Sequence, residues 1–167
     1  MKIGVLALQG SFQEHQHILQ KLGVEVVLVR LAQELEGLEG LIIPGGESTT
    51  IGKLAHDFAL LEPLRNFGKE HAIWGTCAGS ILLAKNTDHA QPLLGLMDIE
   101  VERNAFGRQI DSFEIDLAIP ALRSVSQAEP TFHCIFIRAP IIKKISNAVE
   151  VLATLPNNTI VAAKQGH

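Results

Sequence analysis

The sequence predicts an α/β protein with an open, mostly parallel sheet. In the first half of the chain, short apolar runs that suit buried strands alternate with segments whose apolar residues recur at helical spacing. Several of these runs end in glycine-containing turns. The predicted order β-α-β-β-α-β-α is typical of a doubly wound, three-layer sheet with helices on both faces.

The first half supplies the elements of this sheet. Ser11 is positioned to cap the first helix and Gly23 to end it, and Ser48 is positioned to cap the second. Pro63 is typical of the first turn of a third helix. The predicted strands cover residues 2–8, 24–29, 41–43 and 72–74, and the predicted helices cover 12–22, 48–61, 63–70 and the apolar stretch to Ala84.

The second half has a different pattern of polar and apolar residues. Residues 98–103 (DIEVER) and 112–117 (SFEIDL) alternate polar and apolar side chains, as half-exposed strands do. Further strands are predicted at 133–137, 150–152 and 159–163, with a turn at 156–158. We expect an antiparallel extension that returns to the same sheet. Because no repeat, low-complexity stretch or linker separates the halves, we predict a single domain over residues 1–167.

Composition excludes several classes of function. The chain has 167 residues, 47% of them hydrophobic and 19% charged, and its formal net charge is −4. This charge gives no reason to expect nucleic acid or an anionic membrane as partner. Two cysteines make no disulfide framework, and no Cys/His cluster has zinc spacing. The N-terminus has no signal-peptide shape and no apolar run is long enough to span a bilayer, so we expect a cytoplasmic protein.

Residues 72–84 carry the strongest chemical signal. An apolar strand leads into Gly-Thr-Cys-Ala-Gly at residues 75–79, and an apolar helix follows. At such a corner a nucleophile projects into open space, and Gly75 and Gly79 leave room where a Cβ atom would collide. The helix start favours a thiolate and a developing oxyanion. We predict that Cys77 is a nucleophile; the alternative is a small buried apolar residue.

A second candidate site lies at residues 44–50 (PGGESTT), between a predicted strand and a helix. Two glycines let the backbone approach a ligand, and exposed N–H groups there favour a carboxylate or oxyanion. The segment lacks the ending of a phosphate-binding loop, and it can also be a simple tight turn. Loops at the carboxyl ends of strands face one crevice, so Gln9-Gly10, this loop and Cys77 are expected to converge.

Arginines and histidines complete the candidates. Arg103, Arg108 and Arg138 follow predicted strands, where a guanidinium can hold a carboxylate or remain a solvated charge. A cysteine nucleophile normally needs a base that a third group orients. Most of the seven histidines are predicted at surface positions, and none is followed by a convincing orienting acid; they are His15, His17, His56, His71, His89, His133 and His167. His133 and Cys134 are expected on opposite faces of a strand.

Several segments together resemble a known family. Residues 8–10 (LQG), 44–50 (PGGESTT), 75–79 (GTCAG), 101–109 (VERNAFGRQ) and 136–140 (FIRAP) occur in this order. They are similar to the glutaminase subunits of pyridoxal 5′-phosphate synthase, which are class I (triad) glutamine amidotransferases with a flavodoxin-like sheet. The corner at 75–79 is shared with other cysteine hydrolases, whereas 101–109 and 136–140 are far more specific.

The resemblance implies hydrolysis of L-glutamine to L-glutamate and ammonia through a thioester on Cys77. The ammonia would pass to a separate synthase subunit that makes pyridoxal 5′-phosphate, and no metal or organic cofactor is implied. The backbone N–H groups of Gly46 and Ala78 would be the oxyanion donors. The residues implied in glutamine binding are Gly46, Glu47, Ser48, Arg103, Ile137 and Arg138.

One part of the family pattern has no match. The family's base and orienting acid lie in a His-Pro-Glu segment beyond the Lys-Gln-Gly that ends here at Gly166, and His167 precedes that position. The 167 residues alone are therefore expected to bind the synthase partner but to turn glutamine over poorly. Two other functions stay open: a non-catalytic partner-binding module, and another cysteine hydrolase such as a γ-glutamyl peptidase.

Overall fold

The computed structural model describes residues 1–103, 112–125 and 131–166. They group into two compact units, Met1–Met97 and Asp98–Gly166, which are described separately. The single domain expected from the sequence stays a prediction. Within the described ranges, no helix is long and apolar enough to cross a membrane.

The first unit contains the predicted parallel sheet. Its strands lie side by side in the order β2-β1-β3-β4, and every pairing between neighbours is parallel. The strands are β1 (Lys2–Leu6), β2 (Glu25–Val29), β3 (Gly40–Ile43) and β4 (Ala72–Gly75). The mostly parallel α/β class is therefore confirmed. One detail is wrong: β4 was predicted to be buried, but Ala72 and Trp74 on alternate positions are exposed.

Helices follow the strands of this unit. They are α1 (Phe12–Lys21), α2 (Ser48–Asp57), α3 (Leu61–Glu70) and α4 (Ala78–Leu83), with a 3₁₀ helix at Ala32–Leu35. The predicted helix over 48–61 is shorter because Ala59 takes a left-handed φ of 54°. The last predicted helix was expected to reach Ala84, but Ala84 has an extended backbone. It begins a short strand, β5 (Ala84–Thr87).

The core of this unit lies between the sheet and its helices. Leu6 and Ile43 from the strands meet Leu64 of α3 and Leu82 of α4, and each of these is at most 1% exposed. These residues pack β3, α3 and α4 into one apolar cluster. The corner at 75–79 is therefore next to closely packed elements, and close packing suits a site that needs fixed geometry.

The second unit is built from antiparallel strands. Its strands are β6 (Met97–Glu102), β7 (Phe113–Ala118), β8 (Thr131–Phe136), β9 (Ile141–Ile145), β10 (Glu150–Thr154) and β11 (Ile160–Lys164). Four of them lie in the order β10-β11-β9-β6, while β7 pairs with β8. The antiparallel character was predicted, but the expected return to the same sheet is wrong: among the described residues, these strands form no hydrogen-bonded ladder with the β2-β1-β3-β4 sheet. The sequence missed β9, whose Lys143 and Lys144 interrupt the apolar pattern.

Candidate active site

Cys77 lies between β4 and α4 and is exposed. Its backbone has a φ of 49° and a ψ of −107°, a region that residues with a side chain rarely adopt. Thr76 is held on both sides, because its N–H donates to the carbonyl of Ile43 at 3.0 Å and its carbonyl accepts from the N–H of Gly79 at 2.8 Å. The exposure of Cys77 makes the buried alternative wrong. A strained, exposed thiol at a fixed corner is suited to nucleophilic attack.

The two glycines beside Cys77 are sterically required. A Cβ atom on Gly79 would lie 2.1 Å from the carbonyl oxygen of Ile43, and one on Gly75 would lie 2.5 Å from the carbonyl carbon of Gly79. These partners are backbone atoms, which cannot move aside cheaply. The close approach expected from the Gly-x-Cys-x-Gly pattern is therefore present.

Three loops at the carboxyl ends of β1, β3 and β4 meet at this corner. The backbone N–H and the Oγ of Ser11 donate to the carbonyl of Gly45 at 2.9 and 3.3 Å. The side chain of Gln9 accepts from the N–H of Glu47 at 2.8 Å. A Cβ atom placed on Gly45 would lie 3.5 Å from the Cβ of Cys77. The expected convergence of the three loops is confirmed. The predicted cap of α1 is wrong, because Ser11 bonds Gly45 and its side chain makes no capping hydrogen bond to α1.

Glu47 caps α2, in place of the predicted Ser48. Its carboxylate accepts from the backbone N–H groups of Thr49 at 3.2 Å and Thr50 at 2.7 Å, and from both threonine hydroxyls. The hydroxyl bond from Thr49 is the main cause that lowers the pKa of Glu47 to about 2. A carboxylate has enough lone pairs to serve all four donors, which one serine hydroxyl does not. Ser48 is 3% exposed, and its Oγ donates to Oε1 of Gln91 at 3.1 Å.

Acidification is expected to weaken this cap. Because the pKa of Glu47 is depressed in the folded state to about 2, its stabilisation is complete above the ordinary carboxyl pKa and is lost as the pH falls towards 2. We expect Glu47→Gln to lower the melting temperature at about pH 7, and the difference from wild type to shrink at about pH 3. Glu70→Gln, at the exposed end of α3, is the control. A difference that does not change with pH would contradict the role of the ionised carboxylate.

The predicted substrate arginines lie in the second unit. Glu102 of β6 pairs with Ile141 of β9, so Arg103 leaves its strand beside the turn at residues 137–140. Arg138 in this turn is exposed and has a φ of 49°. Ile137 is also exposed. The role of Arg103, Ile137 and Arg138 in glutamine binding stays a prediction, and Arg108 lies outside the described residues.

Two histidines differ from the sequence expectation. His133 has both ring nitrogens on carboxylates, Nδ1 at 2.8 Å from Asp116 and Nε2 at 3.1 Å from Glu114, and the bond to Asp116 does most to raise its pKa. The sequence missed these acids because they lie on the neighbouring strand β7. Cys134 points away from His133 and is half-buried, and this burial raises the pKa of its thiol.

His15 is the second histidine that differs from the sequence expectation. It was assigned to the surface of α1, but it is partly buried and lies near Thr76. Among the residues that the structure describes, no cluster of three or more His, Cys, Asp or Glu residues could hold a metal ion. His167 lies outside the described residues.

Known proteins are similar to this chain over nearly its whole length. The model of the SNO glutamine amidotransferase family matches residues 5–167. A pyridoxal 5′-phosphate synthase subunit PdxT from Herpetosiphon aurantiacus is 57% identical over 99% of this chain and 87% of its own length. One from Moorella thermoacetica is 54% identical over 100% of this chain and 87% of its own length.

Solved structures place the fold in the same group. A crystal structure of a glutamine amidotransferase has a TM-score of 0.87 and 46% identity, and the match covers 98% of this chain and 85% of that one. The structure of PurLQS from Thermotoga maritima is only 18% identical, with a TM-score of 0.64 over 95% of this chain and 76% of the matched one, and supports the fold alone. The family match over nearly the whole chain and the relatives above half identity lead to one conclusion: this chain belongs to the SNO glutamine amidotransferase family.

Proposed function

We propose that the protein hydrolyses L-glutamine to L-glutamate and ammonia with Cys77 as nucleophile. The observation that carries this proposal is the exposed thiol at a strained corner, with the Gly45 backbone packed beside it. Such a corner presents the Sγ atom to a bound amide while the chain on either side stays fixed. Family membership gives the reaction class, because amidotransferases take their nitrogen from glutamine.

The reaction balances with the cysteine alone as covalent partner. The thiolate attacks the side-chain carbonyl carbon of glutamine and forms a tetrahedral oxyanion. This intermediate collapses as the C–N bond breaks, and the nitrogen leaves as ammonia after it takes the proton that the Cys77 thiol gave up on becoming a thiolate. Water then attacks the thioester, which releases glutamate and returns the thiol.

Two sets of residues are proposed to bind glutamine. The backbone N–H groups of Gly46 and Ala78 stabilise the oxyanion, since donors fixed in advance act most strongly where charge develops. Glu47 and Ser48 are proposed to line the glutamine site beside Gly46. Arg103 and the Ile137-Arg138 pair hold its amino-acid end, because a guanidinium binds a carboxylate with two parallel hydrogen bonds.

The ammonia is proposed to pass to a partner subunit. The relatives named above are subunits of pyridoxal 5′-phosphate synthase, so the acceptor is the synthase subunit of that complex, in the cytoplasm. Ammonia is mostly protonated near neutral pH, and direct transfer keeps it available as a nucleophile. The glutaminase reaction itself calls for no metal or organic cofactor.

The test is glutamate release by the protein expressed from its full coding sequence and mixed with the synthase subunit. We expect Cys77→Ala to lower the rate about a thousandfold or more, because no other group supplies the covalent step. Cys134→Ala is the matched control and should keep the wild-type rate. Unchanged release by Cys77→Ala would overturn the assignment of the nucleophile.

The same assay separates the other two functions. Wild-type protein that binds its synthase partner but never releases glutamate would be a partner-binding module. Release from γ-glutamyl peptides without release from glutamine would make the protein a different cysteine hydrolase.

A further inference from the structure

We propose that His15 is a positioning residue that fixes the Cys77 corner through the side chain of Thr76. This inference rests on the proposed function, in which Cys77 is the nucleophile. His15 belongs to α1, which follows the loop after β1, and sixty-one positions separate it from Thr76 along the chain. The contact therefore ties one wall of the site to the corner itself.

His15 makes two contacts at the end of β4. Nε2 of His15 lies 3.5 Å from Oγ1 of Thr76, a long hydrogen bond. The imidazole also meets Trp74 edge-on, with the ring centroids 5.8 Å apart and the planes at 84°. Trp74 of β4 and Thr76, the first residue after that strand, therefore both contact the ring of His15.

The contact adds a third restraint to a residue that is already held twice. The N–H of Thr76 donates to Ile43, and its carbonyl accepts from Gly79. With both backbone groups of Thr76 bonded, its side chain is the part that can still change rotamer. The hydroxyl of that side chain contacts His15. A strained backbone such as that of Cys77 persists only where its surroundings over-determine it. Loosening Thr76 is therefore expected to let the next residue relax away from the attacking position.

The protonation state of His15 fits a positioning role. Partial burial lowers the pKa of the imidazole, and the neighbouring carboxylate of Glu14 opposes this with a smaller effect. The ring is therefore neutral at neutral pH. A neutral Nε2 either donates to the threonine hydroxyl or accepts from it, and a hydroxyl can do both.

Two substitutions separate the Nε2 contact from simple packing. His15→Phe keeps a flat ring against Trp74 and removes the nitrogen. His15→Gln removes the ring and places an amide at similar reach to Thr76. His17→Phe, on an exposed position of the same helix, is the control. All variants are made in a Cys134→Ala background, so that any alkylation of a cysteine is alkylation of Cys77.

The measurement is the rate at which iodoacetamide alkylates Cys77, followed across pH, with the rate for a chloroketone analogue of glutamine beside it. We expect His15→Phe to slow both about tenfold, and His15→Gln and His17→Phe to stay within about threefold of wild type. Thr76→Val should slow alkylation as His15→Phe does, and the double variant should be no slower than either single one, because both remove the same contact.

A wild-type rate in His15→Phe would overturn the proposal, and a loss confined to His15→Gln would then indicate ring packing alone. Equal losses in His15→Phe and His15→Gln would also overturn it, because the amide of glutamine would then fail to replace Nε2. Additive losses in the double variant would also contradict it. Failure of the proposed function looks different, because wild-type Cys77 would then react with iodoacetamide but not with the glutamine analogue. The iodoacetamide series still decides the role of His15 in that case.

Discussion

Replacing Gly79 by alanine is expected to disrupt the Cys77 corner and to lower glutaminase activity about a hundredfold. The added Cβ would lie 2.1 Å from the carbonyl oxygen of Ile43 and 2.8 Å from its carbonyl carbon, so α4 must move away from β3. Overpacking against backbone costs about 3 kcal/mol of the free energy of unfolding. A displacement near 1 Å at the nucleophile lowers the rate about a hundredfold. Denaturant unfolding and glutamate release measure the two effects.

Gly45→Ala is the matched control at the same site. Its Cβ would lie 3.5 Å from the Cβ of Cys77, 3.7 Å from Oγ of Ser11 and 3.8 Å from the carbonyl oxygen of Thr76, which are ordinary contacts. We expect stability within about 0.5 kcal/mol of wild type. Any loss of activity in Gly45→Ala then comes from crowding the thiol. Wild-type stability in Gly79→Ala would contradict the close contact between α4 and β3.

The sequence is informative where structure is local. The apolar strand, the two flanking glycines and the apolar helix that define the corner are contiguous at residues 72–84, so the exposed Cys77 could be predicted. The parallel sheet could also be predicted, because its strands are short apolar runs separated by amphipathic helices. These features depend on backbone sterics and hydrophobic burial, which neighbouring residues largely determine.

The side-chain partners could not be predicted because they come from distant parts of the chain. Ser48 bonds Gln91, His15 meets Thr76, and both pairs form only after the helices pack. The capping residue of α2 was misassigned for a different reason. Ser48 and Glu47 are adjacent, and only the folded backbone shows that the longer Glu47 side chain bends back to Thr49 and Thr50.

Cys77→Gly is expected to give a protein that is more stable and completely inactive. The φ of 49° with a ψ of −107° costs a residue with a Cβ about 1–3 kcal/mol. Glycine relieves this strain but loses about 0.5–1 kcal/mol through its greater freedom in the unfolded chain. The net gain of about 1 kcal/mol corresponds to a rise of about 2–4 °C in the melting temperature. Cys77→Ala keeps its Cβ and should show no such rise.

Ala59→Gly separates strain from function. Ala59 also has a positive φ, 54°, but it lies between α2 and α3, away from the thiol corner. Both glycine variants should gain stability, and only Cys77→Gly should lose glutamate release. A Cys77→Gly protein no more stable than Cys77→Ala would show that the corner carries no strain. Stabilisation at both positions, with activity lost only in Cys77→Gly, would show that the strained backbone at residue 77 coincides with the nucleophile, whereas the one at residue 59 is not needed for activity.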